Sequence, residues 1–149
     1  MRTPTAIFVG VVACLAIGAA PLAVAPVDDW YRHLARPAWT PPDAAFGIVW
    51  PVLFVLMGTA AGLAGVRRTA VLVPFAVQMA LNAAWSILFF RYHMLGVSLV
   101  EVAALWCAIA VTIAAFGRVR PLAAWLLVPY LGWVTFAVAL NAAFWRLNG

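Results

Sequence analysis

Charged residues are scarce in this chain of 149 residues, which contains nine arginines, four acidic residues and no lysine. They make up 9% of the chain, whereas about a quarter of a typical soluble domain is charged. Hydrophobic residues make up 68% of the chain, which is more than one water-soluble core of this size can bury. This composition excludes an intrinsically disordered chain, a nucleic-acid-binding domain with a solvated basic face and a disulfide-stapled secreted domain. It predicts an integral membrane protein with no nucleic-acid partner.

The common motifs of catalysis and metal binding are also absent. The sequence has no Gly-rich phosphate loop and no Ser-His-Asp arrangement at a known spacing. Its two cysteines, Cys14 and Cys107, lie in different predicted helices, and its two histidines, His33 and His93, lie at predicted membrane edges. We therefore expect no metal site and no obligatory cofactor, and nothing in the sequence supports hydrolysis, phosphoryl transfer or metal catalysis.

Five apolar stretches are long enough to cross a membrane, which requires about 20 helical residues. The predicted helices cover about residues 4–26, 44–66, 69–90, 94–117 and 121–146. Except for the first, the connections between them are short, so that successive helices must run antiparallel. The sequence therefore predicts an all-α fold, in which a single domain over residues 1–149 forms an up-and-down bundle of five transmembrane helices.

The first stretch also resembles a secretory signal peptide, because Arg2 precedes it and residues 23–25 imitate a cleavage site. We interpret it as a retained helix, since it is long enough to span the membrane and Pro21 and Pro26 suit its last turn and its end. With five spans the termini lie on opposite sides of the membrane. The arginines, five on one side against four on the other, barely favour a cytoplasmic N-terminus.

The connection between the first two helices is long and polar. It runs from Val27 to Asp43 and contains three of the four acidic residues. Pro37, Pro41 and Pro42 prevent one continuous helix here, while aromatic residues supply apolar surface that can pack on the mouth of the bundle. We interpret this connection as a structured loop that acts as a lid. The alternative is an interfacial loop whose aromatic residues only anchor at the lipid headgroups.

Three of the predicted helices carry a stripe of aromatic and amide side chains. The stripes consist of Trp50, Phe54 and Met57 on the second helix; Gln78, Asn82, Trp85 and Phe89 on the third; and Tyr130, Trp133, Ala137, Asn141 and Phe144 on the fifth. Spacings of three and four place these side chains on one face of each helix. If the stripes converge, they enclose a cavity with flat aromatic walls, which suits large planar apolar ligands. In the alternative, the amides bond to neighbouring helices and the tryptophans fill core volume.

Small residues form ridges on three of the predicted helices, and such ridges let helices approach closely in lipid. The ridges consist of Gly10, Cys14 and Gly18 on the first helix; Gly58 and Gly62 on the second; and Ala76, Ala80 and Ala84 on the third. Each ridge is either a packing seam within the chain or a contact with a second copy. We expect a homodimer, with the third helix as the candidate interface.

Glu101 is the one acidic residue inside a predicted span. An ionised carboxylate near the bilayer centre costs about 3 kcal/mol even on lenient insertion scales, so Glu101 must face protein or be protonated. One hypothesis makes it the proton-linked acid of a small-molecule exporter. We prefer the alternative, a hydrogen-bonded residue between packed helices, because a single carboxylate without an acidic partner is poorly equipped for acid–base chemistry.

Three spaced motifs cover nearly the whole chain. They consist of Trp30, Tyr31, Leu34, Arg36, Pro37, Trp39, Pro41, Pro42, Phe46 and Trp50; Gln78, Asn82, Trp85, Phe89 and Phe90; and Pro129, Tyr130, Trp133, Phe136, Ala137, Leu140, Asn141, Trp145 and Arg146. Together they resemble the signature of the TspO/MBR family of translocator and tryptophan-rich sensory proteins. The resemblance implies a five-helix bundle, often dimeric, that binds porphyrins, cholesterol in animal members, and benzodiazepine-type drugs in a pocket beneath the first loop.

Carried over residue by residue, the resemblance implies a pocket and its cover. The pocket consists of Trp39, Trp50, Asn82, Trp85, Trp133, Ala137 and Asn141, with Trp30, Tyr31 and Pro41 closing it, and the stripes add Phe54 and Phe89. In some bacterial members, light-dependent breakdown of protoporphyrin is attributed to tryptophans that match Trp50 and Trp133. Ala44 and Gly47 depart from the family pattern near the pocket mouth. Ala142 replaces the tyrosine of the animal cholesterol motif, so we do not expect sterol binding of that kind.

The leading hypothesis is a multi-pass protein of a bacterial cell membrane that binds protoporphyrin IX or a related planar ligand as a sensor, carrier or regulator. One alternative is an enzyme that oxidises bound porphyrin in light through Trp50 and Trp133. The other is a proton-coupled exporter that uses Glu101.

Overall fold

The computed structural model describes the whole chain, Met1 to Gly149, and contains helices but no strands. The helices are α1 (Thr3–Val24), α2 (Asp29–His33), α3 (Asp43–Gly65), α4 (Leu72–Ser86), α5 (Leu95–Gly117) and α6 (Pro121–Asn148). A 3₁₀ turn over Thr69–Val71 precedes α4, and a π-helical turn over Ile87–Arg91 continues it. Five of these helical segments are long and apolar enough to cross a membrane. The predicted fold class and the membrane location are therefore confirmed.

The ends of the helices follow local sequence signals. α6 begins with Pro121, whose missing N–H is not needed in the first turn. α2 begins after Asp28, whose carboxylate accepts a hydrogen bond from the backbone N–H of Tyr31 at 3.1 Å. Only Tyr92–Met94 separate the π-helical turn from α5, and His93 adopts a left-handed conformation there, with φ of 56°. This sharp corner makes α4 and α5 antiparallel neighbours.

The five long helices form a closed ring. α1 packs against α3, α3 against α6, α6 against α5, α5 against α4, and α4 against α1. We call the end that carries the loop between α1 and α3 the upper end. One buried cluster fills the lower half of the ring, and a smaller one, which includes Tyr31, Phe89 and Phe144, lies directly beneath the loop. Between these clusters the ring has space for a cavity.

Two of the three small-residue ridges are packing seams within the chain. A Cβ atom at Gly10 would collide with the backbone of Gly58, and one at Gly62 would lie 2.6 Å from the backbone of Ile7. The lower halves of α1 and α3 are therefore in backbone contact, which only glycine permits at these positions. On α4, Ala76 and Ala80 are exposed on the outer face. A homodimer through that face stays a prediction.

Replacement of Gly58 by valine is expected to destabilise the bundle by about 1–3 kcal/mol or more, the usual cost of overpacking, because a Cβ atom there meets the backbone of Val11. Thermal unfolding in detergent measures the effect. Gly132→Val is the matched control, since a Cβ atom at Gly132 meets nothing within 4 Å. Equal stability of the two variants would contradict the seam.

Candidate functional site: a cavity beneath the first loop

The upper half of the bundle contains a cavity of about 550 Å³ between α1, α3, α4 and α6, with the loop between α1 and α3 above it. Small-molecule sites usually have volumes of about 300–1,000 Å³. Helix α5 contributes no residue to the lining, because it packs behind α4 and α6. The cavity is the part of the bundle best suited to hold a ligand.

Nine of the twelve residues predicted to bind the ligand line this one cavity. They are Tyr31, Trp50, Phe54, Asn82, Trp85, Phe89, Trp133, Ala137 and Asn141. The stripes on α3, α4 and α6 therefore converge, as their spacing indicates.

The remaining three, Trp30, Trp39 and Pro41, lie outside the cavity lining. This corrects the predicted place of Trp39 in the pocket, whereas Trp30 and Pro41 were predicted to close it from the loop. The ring of Trp30 stacks on His93, with ring centroids 3.9 Å apart. Adjacent helical residues point about 100° apart, so α2 directs Tyr31 into the cavity and Trp30 toward the α4–α5 corner. Trp39 is half-exposed and packs edge-on against Phe136 at 5.7 Å. Trp30 and Trp39 thus hold the loop from outside the cavity.

Aromatic side chains form two walls of the cavity. On the α3 and α6 side, Trp50 stacks on Phe54 at 5.7 Å and meets Trp133 edge-on at 6.4 Å. On the α4 side, Trp85 packs against Phe89 at 5.4 Å. Each such ring contact contributes about 0.5–1.5 kcal/mol beyond the burial of its area. The walls are therefore preformed flat surfaces on which a planar molecule can stack.

The two asparagines of the cavity wall are occupied with neighbouring helices. Asn141 Oδ1 accepts hydrogen bonds from Trp85 Nε1 at 3.0 Å and Ser98 Oγ at 3.1 Å, and Nδ2 donates to the carbonyl of Leu95 at 2.9 Å. Asn82 Nδ2 donates to the hydroxyl of Tyr130 at 2.7 Å. These hydrogen bonds connect α4, α5 and α6, as the alternative interpretation predicts, with Asn141 bound through both polar atoms and Asn82 through its Nδ2.

The indole N–H of Trp133 differs from that of Trp85. It is buried and has no hydrogen-bond partner in the protein. A buried donor that is left unpaired costs about 1–3 kcal/mol. Trp133 therefore presents its ring to the cavity, while its N–H is enclosed by the protein.

The loop above the cavity is fastened to the bundle at two points. Asp28 Oδ2 lies 2.9 Å from Nε2 of His93 at the α4–α5 corner. At the end of α6, Asn148 pairs with the backbone of Ala35, whose N–H donates to Oδ1 at 2.8 Å and whose carbonyl accepts from Nδ2 at 2.9 Å. These contacts favour a structured lid over a loose interfacial loop.

Tyr31 is the buried contact of the lid with the cavity. Arg36 donates to its backbone carbonyl at 3.2 Å and lies 4.6 Å from the centre of its ring. Burial raises the pKa of the Tyr31 hydroxyl, so this group stays neutral. The backbone N–H of Tyr31, aided by His93, lowers the pKa of Asp28. Asp28 therefore holds the start of α2 as a carboxylate, and this contribution is lost only as the pH falls through that lowered pKa.

Two charged side chains line the cavity, both at its upper mouth: Arg32 and Asp43. Arg32 Nη1 lies 3.2 Å from Asp29, and Asp43 lies 3.5 Å from Arg36. All the other lining residues are uncharged. The cavity is therefore mainly apolar inside and charged at the top, which suits a molecule with an apolar body and a polar end.

Sequence reasoning missed part of the lining. The missed residues include Leu15, Gly18, Ala19 and Leu22 on α1, and Phe46, Phe90, Phe136 and Leu140 elsewhere. Helix α1 is apolar on every side, because its outer face meets lipid that is as apolar as its inner face, so no stripe marks its inner side. Phe136 and Leu140 were accessible to prediction, since they extend the α6 stripe at spacings of three and four.

Glu101 does not line the cavity. It is half-buried on α5, and neither of its carboxylate oxygens has a hydrogen-bond partner. The expectation that Glu101 is hydrogen-bonded between helices is therefore wrong. Its position behind the wall also gives the exporter hypothesis no direct contact with a ligand.

Comparisons with known proteins agree with the resemblance. The family model described as TspO/MBR family matches residues 8–146. The tryptophan-rich protein TspO of Chlorobaculum tepidum is 41% identical, over 91% of this chain and 90% of its own length. Protein CrtK of Rhodobacter capsulatus is 38% identical, over 92% and 89%. The translocator protein of Homo sapiens is 40% identical, over 80% and 75%. The chain belongs to the TspO/MBR family.

Proposed function

We propose that this protein binds a large, planar, mainly apolar ligand of the tetrapyrrole class, such as protoporphyrin IX, and acts as a sensor, carrier or regulator of that ligand. The observation that carries the proposal is the pair of aromatic walls around a single cavity of about 550 Å³. Flat aromatic side chains bind planar molecules by stacking and dispersion.

The distribution of polar groups supports a tetrapyrrole that carries carboxylates. Arg32 at the mouth offers a cation to an anionic side group. The relatives are named as translocator and sensory proteins, and a binding function is in keeping with both names. The ligand therefore sits with its apolar ring between the walls and its charged groups under the lid.

Replacement of Trp133 by leucine is expected to raise the Kd for protoporphyrin IX about tenfold, a loss of about 1.4 kcal/mol, because one aromatic stacking surface is removed. Quenching of intrinsic tryptophan fluorescence in lipid nanodiscs measures the Kd. The control is Trp125→Leu, since Trp125 lies on the same helix but is 70% exposed on the outer surface. An unchanged Kd in Trp133→Leu, or an equal change in both variants, contradicts the proposal and indicates partition into lipid.

A second candidate function is light-dependent oxidation of the bound porphyrin. Trp50 and Trp133 favour it, because both line the cavity and their rings meet at 6.4 Å. Under light and oxygen, Trp133→Phe is then expected to slow product formation about tenfold while changing the Kd less than about threefold. Absence of product from the wild-type protein under the same illumination excludes this activity and leaves binding alone.

A further inference from the structure

The wall of the cavity is much thinner on one side. The lining residues of α4 and α6 are all buried or half-buried. On α1 and α3, by contrast, several lining residues are exposed: Leu22 is 67% exposed, and Gly47 and Pro51 are also exposed. A residue that lines the cavity and is also exposed marks a wall one side chain thick. The cavity therefore comes closest to the outer surface between the upper parts of α1 and α3.

The two helices separate progressively toward this place. In the lower half, the seam at Gly10 and Gly58 allows no Cβ atom. Higher up, Gly18 faces the ring of Phe54 rather than backbone, so a side chain already stands between the helices. At Gly47, a Cβ atom meets nothing within 4 Å. The helices thus form a wedge that is closed at the bottom and open at the top.

Both sides of the wedge carry a proline inside the helix. Pro21 lies in α1 and Pro51 in α3. A proline has no N–H, so it removes the helical hydrogen bond to the carbonyl four residues earlier, which is that of Ile17 for Pro21 and that of Gly47 for Pro51. One backbone hydrogen bond is therefore missing in each of the two helices at the level of the cavity, whereas the internal proline of α6, Pro129, lies one turn below the lining residue Trp133.

The wedge also lies at the depth of the lipid chains. Gly47 and Pro51 are one and two turns below Asp43, the first residue of α3, or about 6 and 12 Å along the helix axis. The side chains at its rim, Leu22 and Pro51, are uncharged and apolar. The aqueous mouth, by contrast, is covered by a lid that the Asp28–His93 pair fastens.

We propose that ligands enter and leave the cavity sideways, from the hydrocarbon layer of the bilayer, through the gap between Leu22 on α1 and Gly47 and Pro51 on α3, which we call the lateral opening. The identity of the ligand rests on the proposed function, and the route does not. It follows that the ligands are molecules that dissolve in the bilayer. The loop above the cavity then stays in place while a ligand enters or leaves.

The first experiment detects the lateral opening without any tetrapyrrole. The protein is placed in nanodiscs of phosphatidylcholine that carries a diazirine at the middle of one acyl chain, is irradiated, and its adducts are mapped by mass spectrometry. Adducts are expected inside the cavity, on Ala137 and Trp133, as well as on the outward-facing Val52. Labelling of Val52 without any adduct in the cavity overturns the proposal.

The second experiment plugs the lateral opening. Gly47→Phe places a ring where space is free, and Leu22→Trp does so from the other helix. Gly132→Phe is the matched control, since Gly132 is an exposed membrane glycine with equally free space that does not line the cavity. The plugged variants are expected to lose the cavity adducts, and the control is expected to keep them.

Binding kinetics distinguish failure of the route from failure of the proposed function. In stopped-flow quenching with protoporphyrin IX, both plugs should slow association and dissociation about tenfold relative to Gly132→Phe, since the ligand passes the lateral opening in both directions. Rates equal to those of Gly132→Phe overturn the lateral route. If wild-type protein does not bind the porphyrin, the proposed function fails, and the lipid adducts alone then decide the lateral opening.

Discussion

Replacement of Ala137 by phenylalanine is expected to raise the Kd for protoporphyrin IX at least about a hundredfold, or roughly 2.7 kcal/mol. Ala137 faces the cavity from α6, is 9% exposed, and lies one turn above Trp133. A phenyl ring at this position occupies the space between the aromatic walls, which the ligand needs. Titration of tryptophan quenching in nanodiscs measures the loss.

Ala139→Phe is the matched control, since Ala139 lies on the same helix two residues further on and is exposed on the outer surface. It is expected to bind as the wild type does. The unfolding temperatures of the two variants should agree within a few degrees, because the new ring fills the cavity in Ala137→Phe and faces lipid in Ala139→Phe. Unchanged affinity in Ala137→Phe would place the ligand elsewhere, on the outer surface or in the bilayer.

The helical architecture could be predicted from the sequence because a backbone in lipid has few ways to satisfy its hydrogen bonds. A run of about 20 apolar residues in a bilayer must satisfy its own hydrogen bonds, and the helix is the open-ended way to do so. The predicted helices therefore end within two residues of those in the structure. What the charge pattern cannot show is local geometry within a helix, such as the π-helical turn at Ile87–Arg91, which carries Phe89 and Phe90 of the cavity wall.

The residues of the site could be predicted from the sequence on those helices where polar and aromatic residues identify the face that packs against protein. Trp50, Asn82 and Trp133 lie on stripes, and their stripes do meet at one cavity. Helix α1 contains no such marker, so its residues Leu15 and Leu22 could not be assigned to the wall. The physical reason is that lipid and protein interior are nearly equivalent solvents for an aliphatic side chain.

The spacing of a stripe shows which way its side chains point, but it does not show which group each side chain contacts. The sequence placed Asn141 on the inner face of α6, where spacing alone does not decide between contact with a ligand and contact with another helix. In the structure, both of its polar atoms are used by other helices. Asn141 therefore fixes the position of the Trp85 ring, which forms part of the cavity wall.

Replacement of Asn141 by leucine is accordingly expected to lower the free energy of unfolding by about 2 kcal/mol, from the loss of three interhelical hydrogen bonds at about 0.6 kcal/mol each. Leucine has the branched shape of asparagine but a larger volume, and the cavity that Asn141 lines gives the extra volume room. Reversible unfolding in mixed micelles with increasing SDS measures the free energy of unfolding.

Two further variants separate the contributions of the individual hydrogen bonds of Asn141 to stability. Ser98→Ala removes one of the hydrogen bonds to Asn141 and is expected to cost less than about 1 kcal/mol. Trp85→Phe removes another and, combined with Asn141→Leu, should add less than its single effect, because residues in one hydrogen-bond network are coupled. Strictly additive effects would mean that the indole and the amide act independently. In that case Trp85 is held by its ring contact with Phe89, and the α4 wall owes its position to aromatic packing instead of to Asn141.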